Sequence, residues 1–563
     1  MLQRILIILV ILIFVIYAFA LYFADNVSIY YSYDMFLGPL SKSTSILVLY
    51  TVEIVLAILL LITLKLRSSE SIHLYFYVVF VLLVLFTKYF LPQYFDSAYF
   101  ENFYDAGGHM TRGKYVTLTG HSDVRVDTYF DVQPAFFWWT AIFINIAYGT
   151  PSSPQDPVFT FLTKWFNTII LIIYLFILIT FFKIVGLSLR ESFLAYGIFL
   201  LISLTRFHYS AQEYSYSLYW LAMILMLRTF GIGKLRFADL VAYTLIVFSI
   251  IFVHQGTTLF TLVSVSAVLL GTFVPLARLR IDVSTDMRVS LFLLVVLLIF
   301  SWFIYLSYLT VYTFRNFIET IRSVVLSIVD KGIPSIVTSA VTRPYEPWMR
   351  IVLIKAIYMI LLISVSLLTL LIVSLSKHEC KVCKTSVKIF LYIASALTAV
   401  VGIIALTIGG AGYVERIPEA LAPIISLSLL RIFNTSAKYS ALRIPSMAIA
   451  TILILLGSVL YFAGWNFQSI SYSEAAAGSF AVKYGPNVAG VYSKLCIESL
   501  YYPVFPYRFS ANCLYAEYLS NNIQAIYYLV GDPETIFKVS KDLTNNMSIV
   551  FRSPTASIYL TSS

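Results

Sequence analysis

An aspartate at 105, a histidine at 109 and an arginine at 112 fall within the stretch FYDAGGHMTRGKY, Phe103 to Tyr115, between two apolar runs. At helical spacing the three share a face, with Glu101 one turn earlier on it. An isolated acidic side chain beside a histidine and an arginine suits general-base catalysis, with cations available to hold a phosphate leaving group. Gly107 and Gly108 weaken a helix here, so a loop beginning at Gly107 is equally compatible with the stretch. A solvated connector with idle charges is the plain alternative.

Other short stretches between apolar runs carry the same kinds of residue. Arg206-Phe-His-Tyr-Ser-Ala-Gln-Glu213 holds His208, Gln212 and Glu213, and His254-Gln255-Gly256-Thr257-Thr258 follows a later run. Gly409 to Arg416 ends in Glu415 and Arg416, and His121 follows the first stretch closely. Tyr104, Tyr115, Tyr129, Trp138, Trp139, Tyr214, Tyr216 and Tyr219 offer flat faces for sugar rings or isoprenoid chains, although aromatic belts are ordinary in membrane proteins.

The elements that must position these residues follow from composition. Of 563 residues, 60% are hydrophobic and 12% charged, and the mean hydropathy is +0.87. A soluble domain has too little interior for that apolar surface. Runs long enough to cross a hydrocarbon core of roughly 30 Å recur along the chain. The fold class is therefore an all-α polytopic membrane protein of about thirteen transmembrane helices, with a small C-terminal extracytoplasmic domain. The spans lie at about 4–24, 45–65, 74–92, 158–183, 191–206, 213–230, 238–254, 257–276, 289–311, 351–376, 389–408, 418–433 and 444–464. The first reads as a retained anchor rather than a signal peptide, although Ala18-Phe19-Ala20 resembles a cleavage site.

Four units result: 1–92, the N-terminal helices; 93–157, an outer loop; 158–464, the helical core; and 465–563, the C-terminal domain. Arg4, Lys65, Arg67, Lys183, Arg190, Arg228, Lys234, Arg236, Arg278, Arg280, Arg288, the cluster 377–388, Arg431, Lys438 and Arg443 fall on one side of the spans. The positive-inside rule makes that side cytoplasmic, along with the N-terminus, and puts the loops 93–157 and 312–350 and the tail outside. Four of the six histidines, at 109, 121, 208 and 254, then face outward. Ionisable groups there suit one polar site at the outer leaflet of a cell membrane. The formal charge of +10 belongs to topology control and not to nucleic-acid binding. Pro134 to Tyr148 reads as an interfacial or re-entrant helix, a short span being the alternative. The tail after Trp465 reads as a small α/β or irregular domain. In it a Cys496–Cys513 disulfide stays open and Asn546-Met-Ser548 is a sequon, as is Asn26-Val-Ser28 nearer the start.

Asp105-Ala-Gly-Gly-His109, Gly120-His121 and Gln133-Pro134-Ala-Phe-Phe137, with the turns at His208, His254 and Glu415-Arg416, resemble the GT-C superfamily. These are multi-span glycosyltransferases that use lipid-phosphate-linked sugars, and the likeness is to archaeal members, over roughly residues 100–430. The resemblance implies an inverting transfer from a polyprenyl-phosphate sugar donor to a glycan or lipid-linked acceptor. Asp105 would be the acceptor-activating base and Arg416 a phosphate contact. Glu101, His109, Arg112, His121, His208, Gln212, Glu213, His254, Gln255 and Glu415 complete the substrate-binding set.

The chain departs from the superfamily in three ways. Its key loop follows the third span and not the first, which two extra N-terminal spans would explain. No Trp-Trp-Asp motif occurs in the tail, which disfavours an oligosaccharyltransferase of the usual kind. No Asp-x-Asp lies near Asp105, so no metal site is assigned. A divalent cation stays open as a cofactor through Asp123, Asp127 and Asp131, a series that equally suits a solvated helix face. His378 with Cys380-Lys-Val-Cys383 is half of a zinc site without a second pair nearby. Two other functions compete: a transporter or flippase of lipid-linked sugars, and a non-catalytic scaffold. Transporters place polar groups near the midplane, where Glu53 and Lys88 are the notable cases.

Overall fold

A computed structural model describes residues 74–90, 103–122, 134–153, 156–203, 208–231, 237–273, 284–305, 357–367 except 359, 385–407, 417–436 and 448–457, together with residues 55 and 281 and four strands after 490. Helix α1 (Leu74–Leu85) runs into a π-helical segment, Phe86–Phe90, and α2 (Phe103–Thr119) and α3 (Pro134–Ala147) follow. Then come α4 (Pro157–Ile184), α5 (Leu189–Ile202), α6 (Ala211–Gly231), α7 (Phe237–Val253), α8 (Gln255–Phe273) and α9 (Thr285–Tyr305). A helical stretch over 360–367 precedes α10 (Thr385–Thr407) and α11 (Ile417–Ser436), and another covers 448–457. Every predicted span from 74–92 onward overlaps one of these helices. The expected spans 4–24 and 45–65, with Glu53, lie outside the described residues apart from residue 55, as do the loop 312–350, both sequon asparagines, the group His378, Cys380 and Cys383, and both tail cysteines.

Local signals set the boundaries. Asp156 caps α4, its carboxylate accepting the Val158 N–H at 3.1 Å, and Pro157 takes the first helical position, where its missing donor is harmless. The helix ends in a Schellman turn: Gly186 N–H donates to Lys183 O and Leu187 N–H to Phe182 O, each at 3.0 Å. Gly186 has φ 102°, a conformation that an L side chain resists. A capping box starts α5 directly, with Ser188 Oγ accepting Glu191 N–H at 3.3 Å and Glu191 Oε2 accepting Ser188 N–H at 2.7 Å. The short turn makes α4 and α5 an antiparallel pair.

Aromatic and hydroxyl contacts hold the bundle together. Phe181 of α4 lies 4.9 Å from Trp220 of α6 and 5.9 Å from Phe390 of α10, between ring centroids. Tyr219 bonds Ser264 across α6 and α8 at 2.8 Å, and Ser366 bonds Thr398 of α10 at 2.6 Å. Hydroxyl pairs of this kind suit a bundle whose surroundings give helices no hydrophobic reason to associate. The outward faces are apolar: Phe161 and Phe176 on α4, Leu245 on α7, Leu270 on α8 and Phe300 on α9 are all exposed. Among the described residues, Pro157–Ile184 and Gly256–Phe273 are long and apolar enough to cross a membrane.

Beyond the helices, β1 (Val491–Ser493), β2 (Tyr527–Gly531), β3 (Met547–Arg552) and β4 (Ala556–Thr561) form a sheet in the order β1-β2-β4-β3. The first pair is parallel and the other two are antiparallel, with an irregularity between Ile549 and Phe551. The tail expected to be α/β or irregular thus contains a mixed sheet.

Candidate functional site

Helix α2 carries the opening stretch, and it is helical from Phe103 straight through Gly107 and Gly108. A loop starting at Gly107 is therefore not what the chain adopts. Thr111, Thr117 and Thr119 return their hydroxyls to the carbonyls four residues back, at 2.9, 2.7 and 2.7 Å. Gly113 is where α2 meets the rest of the site. A Cβ there would stand 2.9 Å from Tyr209 Oη and 3.0 Å from Thr140 Cγ2. Only a residue without a side chain lets α2, α3 and the turn before α6 approach that closely.

Asp105 sits in the first turn of α2, the end of a helix that favours a negative charge; its side chain lies outside the described residues, as does all of Glu101. Position 105 shares a face with Gly108 and Arg112, both half-buried while their neighbours on α2 are buried. The Arg112 guanidinium runs back along this face, with Nη1 3.4 Å from the point a Gly108 Cβ would occupy. His109 departs from the expected alignment. It is buried and turned into α3, its ring 5.8 Å from Phe136, edge-on, and 6.0 Å from Phe137. Four residues advance a helix by more than one turn, so 109 lies about 40° round from 105, enough for the aromatic wall of α3 to take it.

His121 is exposed beyond the other end of α2, about 24 Å along the axis from Asp105 at the helical rise per residue. Its Nδ1–H donates to Thr119 O at 3.1 Å, and its Nε2 accepts from Tyr115 Oη at 3.2 Å. An unbroken helix separates the two residues that a looped segment would have let approach.

The turn before α6 closes onto α2 and α3. Tyr209 hydrogen-bonds Thr140 of α3, and its ring lies 5.0 Å from Phe136 and 5.3 Å from Phe166. Burial pushes its phenol well up, against the opposing bond from Thr140. Ser210 caps α6 by accepting the Glu213 N–H at 3.3 Å. His208, Gln212 and Glu213 are all buried around this cap, and Tyr174 of α4 donates to Glu213 O at 3.3 Å.

From α6 a hydroxyl chain leads to the third stretch. Ser215 bonds Thr257 at 2.6 Å, and Thr257 Oγ1 lies 2.9 Å from His254 Nδ1. The Thr257 N–H also donates to that ring nitrogen, at 3.2 Å, so the imidazole caps α8. With Nδ1 accepting a backbone N–H, the neutral ring carries its proton on Nε2. The Gln255 side chain lies outside the described residues, and so do Glu415, Arg416 and the series Asp123, Asp127, Asp131.

Three of the four sequence stretches are thus linked by continuous contacts: α2 to α3 and Tyr209, and α6 through Ser215 and Thr257 to His254. Sequence reasoning passed over Tyr209, Thr140, Ser215 and Thr257, each an ordinary residue until the fold pairs it. It also passed over Lys114, which is buried on α2 with Nζ 5.6 Å above the Phe159 ring. Burial lowers the Lys114 ammonium from its ordinary 10.5 to about 7.

Among solved structures the chain is similar to archaeal oligosaccharyltransferase AglB from Archaeoglobus fulgidus, solved in complex with an inhibitory peptide and a dolichol-phosphate. The TM-score is 0.45 at 10% identity, over 86% of this chain and 74% of that one. No family model and no curated protein matches the sequence.

Proposed function

We propose that this chain is an inverting glycosyltransferase that moves a sugar from a polyprenyl-phosphate donor to a lipid-linked or surface glycan acceptor at the outer leaflet. The observation that carries the reading is the junction at Gly113, where the helix bearing Asp105 and Arg112 is seated on Tyr209 and Thr140. Through it, the helix that bears Asp105 packs against the turn that carries His208 and Tyr209.

The chemistry assigned to the site is a single displacement. The Asp105 carboxylate takes the proton of an acceptor hydroxyl as that oxygen attacks the anomeric carbon from the face opposite the phosphate. The bond from the sugar to the phosphate oxygen breaks, and its electron pair leaves with the polyprenyl phosphate. Arg112, folded back toward the first turn of α2, and Arg416, just before α11, supply positive charge for that leaving group. His254, capped on one ring nitrogen, presents the other as a fixed donor.

The test is single-turnover sugar transfer by purified wild type and Asp105→Asn at saturating donor. Asparagine keeps the size and loses the base, so transfer should fall by about 10²–10⁴-fold with stability unchanged. Equal rates remove Asp105 from the reaction. Translocation of lipid-linked sugar, with no transfer from any polyprenyl-phosphate donor, makes the chain a flippase.

A further inference from the structure

The end of α5 poses a problem that the chain solves with a lysine. Leu200, Leu201, Ile202 and Ser203 have no solvent exposure, so the carbonyls that end the helix have no water to bond. A helix end buried in that way needs other donors. Each carbonyl has one. Phe199 O accepts the Ser203 N–H at 2.9 Å, and Ile202 O accepts the Tyr358 hydroxyl. Leu200 O accepts Tyr89 Oη at 3.0 Å. The rest falls to Lys88, whose Nζ donates to Leu200 O, Leu201 O and Ser203 O at 3.1, 3.0 and 3.0 Å.

Lys88 is itself fully buried. Three carbonyl acceptors require three N–H donors, which the ammonium has and the neutral amine lacks. The positive charge lies at the carboxyl end of a helix, where the backbone dipole favours it. Two features bring it there. Gly197 lets α1 press on α5, since a Cβ at that position would lie 2.5 Å from Phe80 Cε1. The π-helical turn Phe86–Phe90 then interrupts the regular twist and carries Lys88 and Tyr89 together onto the end of α5. Beyond Ser203, whose backbone is extended (ψ 120°), the residues 204–207 lead to His208 and Tyr209.

We infer that Lys88 is a positioning residue for the candidate site: by clamping the end of α5 it fixes where the chain leaves that helix, and so where the buried His208 lies and where Tyr209 stands against α2 and α3. The inference rests on the glycosyl-transfer reading only for what those two residues serve. Its test does not measure transfer.

Backbone hydrogen exchange of the purified full chain, read by mass spectrometry, reports residues 208–215 separately from the rest of the bundle. Lys88→Met keeps the stem and loses the charge and donors, so exchange at 208–215 should rise by about tenfold or more while α10 keeps its protection. Lys88→Ala should be restored by n-propylammonium, which replaces the missing atoms and the charge, and not by n-propanol, which fills the space with one donor and no charge. If Lys88→Met yields no folded protein, Lys88→Ala purified with n-propylammonium and then dialysed gives the same comparison within one sample. Unchanged exchange at 208–215, or equal rescue by the alcohol, overturns the inference and leaves Lys88 as packing. Those outcomes are independent of Asp105→Asn, whose failure would overturn the reaction and leave the clamp intact.

Discussion

Methionine in place of Lys114 removes an ammonium that the fold buries on α2 above the Phe159 ring, with 2% of the side chain exposed, and keeps a stem of similar length. The folded chain holds this amine at about 7 against an ordinary 10.5, through burial. Between those pH values the unfolded chain binds a proton that the folded chain does not, so wild-type stability rises with pH across the window. Below pH 7 both states are protonated and the burial cost is felt in full; above 10.5 neither is. At 1.36 kcal/mol for each pKa unit, the window contributes about 5 kcal/mol. At an unfolding entropy of about 2.1 cal/mol/K per residue, the 563-residue chain converts this into roughly 4 °C. Thermal unfolding in detergent at one scan rate, from pH 6.5 to 10, measures both proteins. Lys114→Met should be the more stable near pH 6.5, with its advantage shrinking by about 4 °C as the pH rises. Other titrating groups move both curves alike and cancel in the difference. Parallel curves would mean that Lys114 is hydrated in the folded state, and the reasoning from burial would fall.

Two further substitutions probe the junction. Gly113→Ala would gain about 1 kcal/mol in an open helix position, but the added carbon meets Tyr209 and Thr140 within about 3 Å. Overpacking should reverse the sign to a loss of about 1–3 kcal/mol, with transfer reduced; a variant with a raised unfolding temperature would refute the close approach. His254→Ala should lose the α8 cap at about 1 kcal/mol, while His254→Asn keeps an acceptor for the Thr257 N–H and with it the stability. If the Nε2–H serves the donor phosphate, His254→Asn should still weaken donor binding by about tenfold, read from the donor KM. Wild-type KM in a stable His254→Asn would limit this residue to the cap.

Much of the helical order was legible because the signals are local. Pro157 after Asp156, the Ser188–Glu191 box and Gly186 each specify a boundary through the few residues around them, and hydropathy alone put helices under every described span. The candidate stretches were legible for the same reason, since a polar cluster between apolar runs needs no fold to be noticed. What could not be read was which faces meet. His109 and Arg112 are three residues apart, yet one is buried in the aromatic wall of α3 and the other lies on the half-covered face with Asp105, because α3 packs against only part of the helix. His121, close in sequence, is carried to the far end by the unbroken helix. Lys88 read as a lone midspan cation until the end of α5 supplied three carbonyls for it, from residues more than a hundred positions away. Nothing in the sequence singled out Lys114, yet the packing of α2 on α4 brings its amine to about 7. Residue type and spacing set what each side chain is able to do; desolvation and the identity of its long-range partner, which only the packed chain supplies, decide what it does.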